Sequence, residues 1–138
     1  MMGGDGMREI KFRYALRDRV TGEIFERIHN LNDIETGNEV AYDFDSPRFI
    51  DCELIGRYEY TGLKDKNMRE IYEGDIVQGS HRSQRDDEII LIEQQVHFLN
   101  GCYMFGNWNA HEYFNKHRNI EVIGNIYQNP NLLLEAKK

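Results

Sequence analysis

The chain has 138 residues, near the commonest length of one domain, with 40% apolar residues, 30% charged residues and only 2 prolines. That composition belongs to a folding, globular chain, either one compact unit or two joined halves, and excludes a disordered or linker-dominated one. A formal charge of −7 argues against a duplex nucleic-acid partner, because phosphate binding draws on clustered Lys and Arg.

No apolar run reaches the roughly 18 to 20 residues of a membrane-spanning helix, and the start lacks the basic and apolar regions of a secretory signal, so no membrane contact and a cytoplasmic location are expected. The opening Met-Met-Gly-Gly-Asp-Gly of residues 1–6 reads as a disordered or added tail, with a second plausible start at Met7. From there Ile10, Phe12, Tyr14 and Leu16 alternate with Lys11, Arg13 and Ala15, the period of a strand with one face on the core. Turn residues at Asp18 to Gly22 and a second extended run at Glu23 to Ile28, with Ile24 and Phe25 inward, complete a hairpin.

Short strands are expected next at Val40 to Phe44 and Ile50 to Tyr60, where Ile50, Cys52 and Leu54 share an inward face until Gly56 interrupts the register. Tyr60 to Val77 is rich in turn formers and reads as a structured loop feeding a strand. Gln78 to Glu88, polar throughout, reads as a mobile surface loop. Ile89 to Ile92 and Gln95 to Leu99 are β-prone, and Asn100-Gly101 is a two-residue hairpin signal returning the chain through Cys102 to Phe105. About two helical turns fit Asn109 to Lys116, with Asn109 as the cap. A last strand, Ile120 to Tyr127, is interrupted at Gly124 and ended by Asn129-Pro130. No internal repeat is present. The abundance of aromatics, 8 Tyr and 7 Phe, suits half-buried pleated sheet, so the expected fold is all-β or β-dominated with at most short helices.

Three blocks carry a family resemblance: Met7-Arg-Glu-Ile-Lys-Phe-Arg13, Tyr60-Thr-Gly-Leu-Lys-Asp-Lys-Asn67 continuing into Glu70-Ile-Tyr-Glu-Gly-Asp-Ile-Val77, and Glu121-Val-Ile-Gly-Asn-Ile-Tyr-Gln-Asn-Pro130. In these the chain resembles the YopX-like family of phage and prophage proteins. The resemblance implies an N-terminal β region at 7–60, then a small SH3-type barrel at 61–138, packed as one unit, and a tendency to form homo-oligomers. It assigns no biochemical activity. One departure is visible: the family pattern Asn-Gly before Lys-Glu-Ile-Tyr is replaced here by Asn67-Met68. If that turn needs a positive φ, Met at 68 is strained, and a shifted turn with Asn67 left-handed is expected.

Candidate chemistry is sparse. Glu73 and Asp75, flanking Gly74, are the carboxylate pair a metal-dependent hydrolase would use with a histidine; the competing reading is a tight turn at Gly74 with Asp75 bonding backbone amides, and it is preferred. His97, His111 and His117 have no recognised metal spacing, and His111 and His117, six apart, are expected to face solvent on different sides of a helix. No metal or other cofactor is expected. Cys52 and Cys102 lack paired spacing and are expected reduced and partly buried. Ser46, Ser80 and Ser83 lack a nucleophile elbow. Tyr60, Tyr72, Trp108 and Tyr113 are the candidate partner-binding aromatics, weighed against a purely structural cluster that closes the barrel. The expected role is a non-enzymatic binding or assembly module acting on itself or on a phage or host protein. The hydrolase and a single-stranded nucleic-acid binder, which would need a basic groove, are the alternatives.

Overall fold

The computed structural model describes residues 9–37, 51–117 and 119–132, with the backbone alone at 81 and 82. Among these residues the chain is strand-dominated, with nine strands and two short helices. It divides into two units after Gly62.

In the first unit β1 (Lys11–Asp18) lies between β2 (Ile24–Asn30) and β3 (Cys52–Lys64), antiparallel to both. The β1–β2 turn forms because the Asp18 carboxylate accepts the N–H groups of Val20 (2.8 Å) and Thr21 (3.1 Å) while Gly22 takes φ 77°. Tyr14 and Leu16 are buried as the alternation requires, yet Arg13 and Ala15 on the opposite face are buried too, and Ile10 lies outside the strand and exposed. The period-two pattern showed one covered face where there are two, because a short Ala and a charged Arg do not register as apolar.

The expected inward face of Ile50, Cys52 and Leu54 is not seen. Ile50 and the run Val40 to Phe44 lie outside the described residues, Cys52 is half-buried and Leu54 is exposed. The pairing itself carries a bulge: Ala15 faces Gly56 but Leu16 faces Leu54, so Ile55 is an extra residue, and Leu54 is exposed although its partner Leu16 is buried. A Cβ on Gly56 would run into the ring end of Tyr58, so any other residue at the bulge would have to move that side chain. Helix α1 (Leu31–Thr36) was not expected. Its signal is a capping box, Asn30 accepting from Asp33 N–H (2.8 Å) and Asp33 accepting from Asn30 N–H (3.1 Å), closed by left-handed Gly37.

The second unit holds β4 (Glu70–Tyr72), β5 (Asp75–Arg82), β6 (Ile89–Leu99), β7 (Cys102–Phe105), β8 (Trp108–Asn109), α2 (Ala110–Lys116) and β9 (Glu121–Asn125). Five of the strands form an antiparallel sheet in the order β8-β7-β6-β5-β9. Its core gathers Ile71, Val77, Val96, Phe105, Phe114 and Val122 with their buried neighbours.

Three expectations change here. The supposed loop of Tyr60 to Val77 is mostly strand, and Gln78 to Arg82, taken with the loop that follows, continues β5 against Ile89 to Glu93. Polar residues hide a strand when the backbone ladder, rather than an apolar face, specifies it. Only Ser83 to Glu88 remains as the turn, with Ser83 N–H donating to the Glu88 carbonyl at 2.7 Å. Ile89 to Leu99 is one continuous strand rather than two segments. At its end Asn100 and Gly101 take φ 52° and 83°, both positive as a two-residue hairpin demands.

Candidate functional site

The distinctive central block folds around one buried carboxylate. Asp65 accepts from the N–H groups of Asn67 (2.8 Å) and Arg69 (2.9 Å) through one oxygen and of Val122 (3.0 Å) through the other. Its carbonyl accepts from Met68 N–H (3.0 Å), and its own N–H donates to the Arg69 carbonyl (2.9 Å). This network sets where the left-handed residue falls. It is Met68, at φ 66°, and not Asn67, so the turn keeps its type and Met takes the position expected to favour glycine. Met68 is 70% exposed and adds no packing that would offset the strain.

Gly74 likewise takes φ 88°, and the Asp75 carboxylate, 1% exposed, accepts from Tyr72 N–H at 2.8 Å. The carboxylate that a hydrolase would need is turned inward on backbone, the preferred of the two readings of this pair. Among the described residues no three His, Cys, Asp or Glu side chains gather as metal ligands.

The four candidate aromatics separate. Tyr60 is buried in the first unit with Lys11 Nζ 4.9 Å from its ring centre, and Tyr72 is buried in the second, its hydroxyl donating to Glu70 at 3.1 Å. Trp108 and Tyr113 are brought together: their ring centres stand 5.4 Å apart. Beneath them Phe105 is fully buried, 6.1 Å from Trp108 and 4.9 Å from Tyr113. The rings pack on one another below, and above them Trp108 keeps 42% of its surface.

The elements that position this edge are short and well capped. Asn109 accepts from Glu112 N–H (3.0 Å), as expected of the cap of α2, and the helix turns Tyr113 and Phe114 onto the sheet. The Tyr113 hydroxyl donates to the Ser80 carbonyl at 3.2 Å, and burial pushes its pKa up. Its ring crosses the backbone at Gly79, where a Cβ would come within 2.9 Å of it. Trp108, Asn109, Glu112, Tyr113, Lys116 and His117 line a groove of about 340 Å³. It offers ring surface for an apolar or planar group, with the carboxylate of Glu112 and the ammonium of Lys116 beside it.

His117 corrects the expectation of a solvent-facing side chain. Its ring lies half-buried on Tyr113, with centres 4.1 Å apart, because the helix ends at Lys116 and His117 turns back in extended conformation. His111 is exposed as expected. Both cysteines are free, but Cys102 is exposed rather than partly buried, since it directly follows the hairpin turn. Burial and the carboxylates of Asp18 and Asp51 push the Cys52 thiol up.

The family described as YopX protein matches residues 16–134. No match is found among curated proteins. Among solved structures, the crystal structure of protein EF1440 from Enterococcus faecalis is similar over 88% of this chain and 97% of its own, with a TM-score of 0.48 and 17% identity.

Proposed function

This chain belongs to the YopX protein family, and we propose that it is a non-catalytic binding module whose contact face is the groove between Trp108 and Tyr113. The observation that carries the proposal is a large aromatic left accessible on a rigid base: Trp108 retains 42% of its surface although Phe105 and Tyr113 buttress it. Exposed tryptophan held on a packed support is the side chain most enriched among residues that dominate binding energy. We read the strand order β8-β7-β6-β5-β9, with a short helix before the last strand, as that of an SH3-type barrel. In that reading the groove takes an extended segment of a protein, of the phage or its host, inside the cell.

Trp108 is the only tryptophan of the chain, so its fluorescence reports occupancy of the groove directly. The test is recovery of partners from host extract by the wild-type chain and by Trp108→Ala, followed by titration with the partner identified. Loss of the indole is expected to weaken binding by about 2 kcal/mol, roughly thirtyfold, with an unchanged far-ultraviolet spectrum. Equal affinity of the variant, or binding that leaves the fluorescence unmoved, would sink this reading.

A further inference from the structure

The strand β6 carries an open edge that the binding groove does not use. Along one side it pairs with β5 from Ile89 to Gln95, but along the other β7 reaches only Val96 to Leu99. Backbone parity shows which groups remain. The carbonyls of Glu88 and Val96 accept from Ser83 and Gly74 on the β5 side, at 2.7 and 2.8 Å, whereas that of Gln95 accepts from Gly106 on the β7 side. Even-numbered residues thus direct N–H and C=O toward β5 and odd-numbered ones away from it. Ile89, Leu91 and Glu93 point theirs along the edge that no described strand covers. The residues there are apolar as well as unpaired: Ile89 is 67% and Leu91 64% exposed.

We propose that this edge pairs antiparallel with the same edge of a second copy, about a two-fold axis at Leu91. Three observations select that occupant and register. An antiparallel partner must match odd with odd residues, so the axis falls on a residue and not between two; at Ile90 it would set Asp87 against Glu93, and at Ile92 it would set Glu88 against Val96, which β7 already pairs. Centring on Glu93 sets two carboxylates face to face, and centring on Ile89 sets Leu91 against Asp87, at a turn with φ 61°. Centring on Leu91 places Leu91 on Leu91, Ile90 on Ile92, Ile89 on Glu93 and Glu88 on Gln94, so each seam carboxylate meets an amide or an apolar residue and none meets its like. An edge carrying bare apolar residues, with no lysine, proline or inward charge to block it, lacks the usual protection against pairing.

The experiment measures mass in solution by light scattering over a wide range of concentration, with thermal melts to confirm folding. The wild-type chain is expected to sediment and scatter as two chains of 16.4 kDa each, and Leu91→Lys, at an exposed position, as one that still melts cooperatively, without the rise in melting temperature with concentration that a dimer gives. Register is read by cross-linking in a Cys52→Ser, Cys102→Ser background. Leu91→Cys sets two Cα atoms about 5.5 Å apart, inside the disulfide range of about 4.4–6.8 Å, and is expected to cross-link on mild oxidation. Glu93→Cys sets them roughly 13 Å apart by strand rise and is expected not to. Trp108→Ala separates this proposal from the groove, since it is expected to leave the dimer intact. A wild-type monomer at every concentration, a dimer that survives Leu91→Lys or is lost in Trp108→Ala, or cross-linking as ready at 93 as at 91 would each overturn it.

Discussion

At the scale of single residues, acidic side chains serve the backbone. Asp18, Asp65 and Asp75 each accept from main-chain N–H groups, and Asp65 alone holds three. Such a carboxylate fixes where the chain must turn, and the residue that falls at the left-handed position has to comply. Met68 complies at φ 66°. A side chain in that region costs about 1–2 kcal/mol, while glycine costs about 0.5–1 kcal/mol in unfolded-state entropy. Met68→Gly is therefore expected to stabilise the chain by about 0.5–1 kcal/mol, a rise of a few degrees in melting temperature. Because Met68 is exposed, no packing is lost to offset the gain. A lower melting temperature than wild type would show that Asp65 does not dictate the turn.

At the scale of elements, the parts of the fold that were legible in sequence are those specified by local chemistry. Asn100-Gly101 has both positive φ values in two consecutive residues, and Asn109 caps α2 by its own side chain. Neither depends on what lies far away in the chain. What was not legible depends on partners distant in sequence. Gln78 to Arg82 is strand because β6 supplies its neighbours along the whole run, and the bulge that sets Leu54 opposite Leu16 exists only where β3 meets β1. The candidate site divides the same way: the nearness of Trp108 and Tyr113 follows from a turn of helix, whereas the burial of Tyr60 and Tyr72, neither of which lines that groove, could not be read from sequence spacing. Gly79 shows how tightly distant elements are matched. The Tyr113 ring lies over it, so Gly79→Ala must displace either α2 or β5. Overpacking of this kind costs about 1–3 kcal/mol. Urea unfolding followed at Trp108, whose ring rests on Tyr113, is expected to show a lower midpoint with a native baseline already shifted. A midpoint and baseline equal to wild type would mean that the ring moves aside freely.

At the scale of the whole molecule, net charge decides how two copies meet. Each chain carries −7, so any pair of them repels at long range, and the seam centred on Leu91 contains no ion pair to reverse the sign. Its attraction comes from backbone hydrogen bonds and apolar contact, which salt does not weaken. Screening lengths fall from about 10 Å at 0.1 M salt to about 3 Å at 1 M, so added salt removes repulsion and leaves attraction in place. Self-association through β6 is therefore expected to tighten several-fold between low and high salt, the reverse of an interface built on charge pairs. Lowering the pH toward the sequence isoelectric point near 5.2 acts in the same direction, since it reduces the charge of both copies together. Sedimentation equilibrium at several salt concentrations reads this trend directly, and tighter association at low salt would require opposite charges across the seam that the Leu91-centred register does not contain.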